Sequence, residues 1–204
     1  MWRVEIRLAG AGGQGLGLAA VVLAESALAS GYEASMLQAY GPEARGGASC
    51  ADVVIADCPI AHPRFEHPSI LLVLNQKAWN RFAPLSNCKD TITVIDAQLV
   101  HPGYAIPGLI ALPFEQIARD ELREKIAANM VAVGALGQLI QRIPLPILER
   151  SVELRTPEGL RHTNREAVNR GWRLTPNPLS IKDGEGVGGE ALSSEIGHTY
   201  LLAL

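Results

Sequence analysis

Chemistry could begin at Gly10-Ala11-Gly12-Gly13-Gln14-Gly15, which fits G-x-G-x-x-G between a strand-like and a helix-like run. Glycines there let the backbone approach a phosphate, and the start of the following helix offers unpaired N–H groups and a partial positive charge. A dinucleotide site adds an acidic residue at the end of the second strand, roughly 20 residues onward, to hold a ribose. That strand ends in Met36-Leu37-Gln38-Ala39-Tyr40, and Glu33 stands at its start. The nicotinamide or flavin reading therefore lacks its second anchor. The same glycines could also serve only close strand-to-helix packing.

A second loop, Tyr40-Gly41-Pro42-Glu43-Ala44-Arg45-Gly46-Gly47-Ala48-Ser49, sets one arginine between flexible glycines after the second strand. In open parallel sheets ligands bind beyond the carboxyl ends of the strands. Arg45 could grip a phosphate or a partner's carboxylate through two parallel hydrogen bonds, or be an ordinary surface charge.

Other reactive side chains form no pattern. Cys50, Cys58 and Cys88 contain no C-x-x-C pair, and an iron–sulfur cluster takes several closely spaced thiolates. They read as free thiols in a reducing compartment. His62, His67, His101, His162 and His198 are scattered, none at a helical ligand spacing, so no metal site is indicated. Ser35, Ser49 and Cys50 lack the turn of a nucleophile elbow.

The elements that must position these loops follow from periodicity. Val4, Ile6 and Leu8 alternate with polar neighbours and feed the first glycine loop. Leu16 to Ala29 is rich in Ala and Leu and ends before Gly31, a left-handed stop. Strands are predicted over Glu33 to Gln38, Ser49 to Ala56, Ile70 to Leu74, Thr91 to Ile95 and Leu109 to Leu112, with a short helix over Gln76 to Phe82. From Phe114 the apolar residues Ile117, Leu122, Ile126 and Met130 recur at roughly helical spacing. Asn129 to Gln141 reads as a helix whose Gly134 and Gly137 must be compensated by close packing, with Pro144 and Pro146 ending it. Further helices are predicted over Ile147 to Leu154 and Asn164 to Arg170, with Gly171 as a stop. The sum is an α/β fold with three α/β/α layers, a mostly parallel sheet and a Rossmann-like opening.

Composition bounds the rest. At 204 residues, 48% apolar and 19% charged, the chain should hold one main domain over 1–172, followed by a Pro/Gly-rich arm over 173–204. A net charge of −3 gives no general attraction for nucleic acid. No apolar run approaches the roughly 20 residues that cross a bilayer, and a cytoplasmic location is expected.

Taken together, the Gly10 to Gly15 loop, the Tyr40 to Ser49 loop and Asn129-Met130-Val131-Ala132-Val133-Gly134 strongly resemble the gamma subunit of 2-oxoacid:ferredoxin oxidoreductases. The resemblance runs from about Arg3 to Trp172. It implies a complex that oxidatively decarboxylates a 2-oxoacid on thiamine diphosphate, passes electrons through iron–sulfur clusters to ferredoxin and forms an acyl-coenzyme A. The gamma chain is implied to bind none of these cofactors alone, to be inactive by itself, to assemble with alpha and beta subunits and in some complexes a ferredoxin-like delta subunit, and to border the coenzyme A site. Gly10, Gly12, Gly13, Gln14 and Gly15 correspond to the family's glycine loop, and Arg45, Gly46 and Gly47 to its Arg-Gly-Gly loop. A free-standing nucleotide-binding oxidoreductase and an assembly module without ligand contact are the alternatives. Geometry adds one expectation: both loops should lie side by side at the carboxyl edge of the sheet, with Arg45 dominating the binding of any phosphate.

Overall fold

Alternation carries the first strand, β1 (Arg3–Ala11), which buries Val4, Ile6 and Leu8 on one face and turns Arg3, Glu5 and Arg7 to the other. The protein is described here by a computed structural model that covers residues 1–39, 47–88 and 90–175. α1 (Leu16–Ala29) follows the glycine loop and ends at Ser30, with Gly31 at φ 85° as the left-handed stop. The remaining strands are β2 (Glu33–Ala39), β3 (Ala48–Ala56), β4 (Ile70–Val73), β5 (Ile92–Asp96) and β6 (Ile110–Leu112), with α2 (Gln76–Phe82) between β4 and β5.

The sheet order is β2-β3-β1-β4-β5-β6. β1, β4, β5 and β6 pair in parallel, as expected. β3 departs from that pattern: it lies between β2 and β1 and runs antiparallel to both. The stretch between Ala39 and Ala48 is shorter than the dozen or so residues that a parallel crossover needs, so the chain can only turn back on itself.

Helices cover the two faces unequally. α1 and α4 (Ala128–Ile140) pack on the face of Ile6, Leu8, Val53 and Ile55. α5 (Leu145–Arg155) and α6 (Arg161–Leu174) pack against them. The opposite face has α2 with Trp79 and Phe82, supplemented by Val100 and Ile106 from the chain after β5.

The stretch after Phe114 is broken where a continuous helix is expected. α3 (Phe114–Gln116) passes into a π-helical turn, Ile117–Glu121, and Arg123 at φ 55° reverses the chain before a 3₁₀ turn, Lys125–Ala127. Ile126 consequently points outward and is 56% exposed. α4 ends at Gln141, itself left-handed at φ 53°, and Pro144 instead opens α5.

Gly171 does not stop α6. It lies within the helix, where a Cβ would come 2.7 Å from the Val131 carbonyl carbon and 3.0 Å from the Ala135 nitrogen of α4. Gly134 answers it, since a Cβ there would come 2.8 Å from the Val168 carbonyl carbon. The low helix propensity of both glycines is thus offset by backbone-to-backbone approach. α6 runs past Trp172 to Leu174, and the arm from residue 176 onward lies outside the described residues.

Candidate functional site

The glycine loop leaves β1 beside the outgoing end of β4, where the strand order reverses and an open sheet offers its crevice. Gln14 closes the turn on itself. Its N–H donates to Ala11 O at 3.2 Å, and its side-chain Oε1 accepts from Ala11 N–H at 2.6 Å. Gly13 (φ 88°) and Gly15 (φ 69°) adopt the left-handed backbone that this path requires.

The loop's glycines divide into two kinds. Gly10 and Gly15 leave room for amide side chains: a Cβ at Gly10 would come 2.6 Å from Gln14 Oε1, and one at Gly15 would overlap Asn129 Nδ2. Gly12 and Gly13 meet nothing within 4 Å. Only these two expose open backbone to a ligand, so part of the motif serves the loop's own bracing.

Two residues outside the motif supply that bracing. Asn75, just after β4, donates from Nδ2 to Gln14 Oε1 at 2.7 Å while its Oδ1 accepts from Ala78 N–H at 2.8 Å and caps α2. Asn129, in the first turn of α4 and buried, donates from Nδ2 to Gly15 O at 3.2 Å. The loop is therefore held from the sheet and from a helix at once.

Asp96 ends β5 and is buried at 1% exposure. Its Oδ1 accepts from Gln98 N–H (2.9 Å) and Leu99 N–H (3.0 Å), and its Oδ2 from Glu115 N–H (2.8 Å). Burial pushes its carboxyl above the ordinary value, the three N–H bonds pull it back, and the charge of Glu115 adds to the rise. Its structural work is to hold the segment after β5 against the start of α3.

Between these groups lies a cleft of about 360 Å³. Gln14, Asn129 and Asp96 supply polar lining, Leu74, Leu99 and Ile126 apolar lining, and Glu115 and Lys125 add one charge of each sign. Among the described residues the lining contains no hydroxyl, thiol or imidazole. It can bind and orient a ligand through its amides and open backbone.

Of the residues singled out from sequence, Gly13 and Gln14 line this cleft, and Gly10, Gly12 and Gly15 lie in the same loop. Arg45 and Gly46, with Gly41, lie outside the described residues. The described feet of their loop are placed: Ala11 pairs with Ala48 and Ala39 with Cys50, so Ala39 and Gly47 stand at the same sheet edge as Gly12. Asn75, Asp96 and Asn129 were missed as site residues. Asn75 and Asp96 follow apolar strands and precede a turn or helix, a position where Asn and Asp side chains accept backbone N–H groups.

The three cysteines are free, with Cys88 Sγ 3.3 Å from His67 Nδ1. Among the described residues no group of three or more His, Cys, Asp or Glu side chains could hold a metal ion. No helix among them is long and apolar enough to cross a membrane.

Comparison with known proteins gives a consistent picture. The family model described as pyruvate ferredoxin/flavodoxin oxidoreductase matches residues 5–174. Four archaeal proteins named 2-oxoglutarate synthase subunit KorC are 34–39% identical; that of Methanocaldococcus jannaschii is 37% identical over 178 residues, 84% of this chain and 94% of the relative. The pyruvate synthase subunit PorC of Thermotoga maritima is 28% identical over 178 residues, 82% of this chain and 92% of that one. The crystal structure of a keto/oxoacid ferredoxin oxidoreductase gamma subunit from Geobacter sulfurreducens superposes with a TM-score of 0.74 at 33% identity, covering 89% of this chain and 99% of that one.

Proposed function

Because the chain belongs to the pyruvate ferredoxin/flavodoxin oxidoreductase family, as a gamma subunit of a 2-oxoacid:ferredoxin oxidoreductase, we propose that its cleft borders the coenzyme A site of the complex. The observation that carries the reading is the braced glycine loop, which presents open backbone at Gly12 and Gly13 beside a cleft whose described lining has no hydroxyl, thiol or imidazole. Such a lining suits a substrate that must be held while chemistry happens elsewhere. Asp96 and Glu115 against Lys125 make the lining unfavourable for phosphates. The phosphates therefore belong at Gly12, Gly13 and Arg45, and the uncharged amide-bearing arm faces the cleft.

Thiamine diphosphate and the iron–sulfur clusters are assigned to other subunits, because the donor set of the described residues, with dispersed free thiols, does not fit a cluster. The isolated chain is then inactive and works only with alpha and beta subunits, with or without a ferredoxin-like delta subunit, in a cytoplasmic complex. Residues 1–172 form the oxidoreductase-type domain and 173–204 an appended arm. The proposed 2-oxoacid is 2-oxoglutarate, following the names of the relatives at 34–39% identity.

The test is the native complex, isolated through this chain and assayed for coenzyme A-dependent ferredoxin reduction with 2-oxoglutarate, pyruvate and 2-oxoisovalerate side by side. 2-Oxoglutarate should give the highest kcat/KM. Arg45→Ala should raise the KM for coenzyme A on the order of tenfold, about 1.4 kcal/mol, without loss of subunits. Loss of assembly with an unchanged KM in the surviving complex would favour a purely partner-facing loop. No change in either would refute the site.

A further inference from the structure

The two side-chain amides at the loop are oriented by groups that can only donate. Ala78 N–H meets Asn75 Oδ1 at 2.8 Å, so Asn75 must turn its Nδ2 toward Gln14, 2.7 Å away. Ala11 N–H meets the Gln14 side chain at 2.6 Å, which again makes the inward atom of Gln14 its oxygen. Two separate backbone donors thus dictate one arrangement. Gln14 Oε1 receives two hydrogen bonds, which leaves Nε2 as the amide atom with hydrogens to donate, and Gln14 is one of the residues that line the cleft. Among the described residues nothing accepts a hydrogen bond from that nitrogen.

We infer that Gln14 is a binding residue whose Nε2 donates to an acceptor oxygen of the ligand in the cleft, and that Asn75 is the positioning residue that aims it. The ligand atom is a carbonyl oxygen of the amide-bearing arm, since an amide N–H₂ group reads acceptors only and the charges lining the cleft disfavour phosphates there. Gly10 belongs to the device, because a Cβ there would come 2.6 Å from Gln14 Oε1 and push the amide off its two donors. Asn75 also caps α2, which ties the aim of Gln14 to both the sheet and that helix. This inference rests on the cleft bordering coenzyme A and adds which of its side chains reads the substrate.

The decisive variants are made in the whole complex. Gln14→Glu keeps both internal bonds, because a carboxylate accepts from Ala11 N–H and Asn75 Nδ2 alike, yet it replaces the Nε2 donor by a second acceptor. Asn75→Asp keeps the cap on Ala78 N–H but sets oxygen against oxygen at Gln14, so the Gln14 amide turns over and loses its aim. Each should raise the KM for coenzyme A tenfold or more, on the order of 1.4 kcal/mol per decade, while kcat changes less than about twofold, the signature of lost uniform binding.

Gln14→Glu decides alone should Asn75→Asp fail to assemble. An unchanged KM in Gln14→Glu, with Arg45→Ala still raising it, overturns this inference and leaves the site reading standing. An unchanged KM in both Gln14→Glu and Arg45→Ala overturns the two together.

Discussion

Replacing Gly171 by alanine puts one methyl group where α6 meets the backbone of α4. That carbon would lie 2.7 Å from the Val131 carbonyl carbon and 3.0 Å from the Ala135 nitrogen, against an optimal carbon separation of about 3.5–4.0 Å. Backbone cannot swing aside as a side chain can, so the helices must part by on the order of 1 Å. A gap of that size forfeits about a quarter to a half of each dispersion contact it opens. Val131, Ala135, Ala167 and Val168 are all fully buried in the core that this crossing helps to close.

Overpacking of this kind costs about 3 kcal/mol, at the upper end of its usual range, and alanine returns about 1 kcal/mol through helix propensity. The net expectation is a loss of about 2 kcal/mol, or a Tm drop of about 4–8 °C for a chain of this size. Urea and thermal unfolding of the purified chain measure it, with Gly159→Ala as control because a Cβ there meets nothing within 4 Å. The control should move stability by less than about 0.5 kcal/mol. A Gly171→Ala chain as stable as the control would refute the account of the crossing. In the complex the same variant should raise the KM for coenzyme A, since α4 supplies Asn129 to the loop.

Asp96 should titrate with its midpoint above the ordinary 3.8, followed by carbon NMR of its carboxyl group. Its raised folded value means that the folded chain binds this proton more tightly, so its contribution to stability is complete below the unfolded value and is lost as pH rises through the folded one; a midpoint below 3.8 would contradict the burial argument. Arg7 pairs with Asp52 through bonds of 2.8 and 2.6 Å, with both side chains about 15% exposed, and sits over the Phe65 and Phe82 rings. Arg7→Ala should cost about 2–3 kcal/mol in urea unfolding because Asp52, largely shielded from water, is left without its partner, and a loss under about 0.5 kcal/mol would show the pair to be incidental.

Legibility in the sequence followed how local the cause was. α1 and α2 occupy the residues that pattern and stop signals predict, because capping and periodicity act within a few residues. β3 was legible as a strand but not in direction, although the short stretch before it already excluded a parallel crossover. Gly171 looked like a helix stop because a glycine has the same letter whether it frees the backbone or admits a neighbour; only the position of Val131 distinguishes these. The glycine loop was found from its motif. Asn75 and Asn129 were not, since the contacts that give them meaning join Gln14 to residues 61 and Gly15 to residues 114 positions away.

The reversed strand β3 has an engineering consequence. A hairpin must come back to the edge it left, and the pairing of Ala11 with Ala48 pins one foot of the returning loop beside the glycine loop whatever sequence joins the feet. Lengthening the connection between two fixed feet costs only about 0.6 kcal/mol per doubling. Residues 40–46 can therefore be exchanged, shortened or extended as a cassette, with the six-stranded frame and the Gly10–Gly15 loop left in place. The same scaffold could in this way be retuned toward a different partner surface or a different ligand headgroup by rewriting one segment.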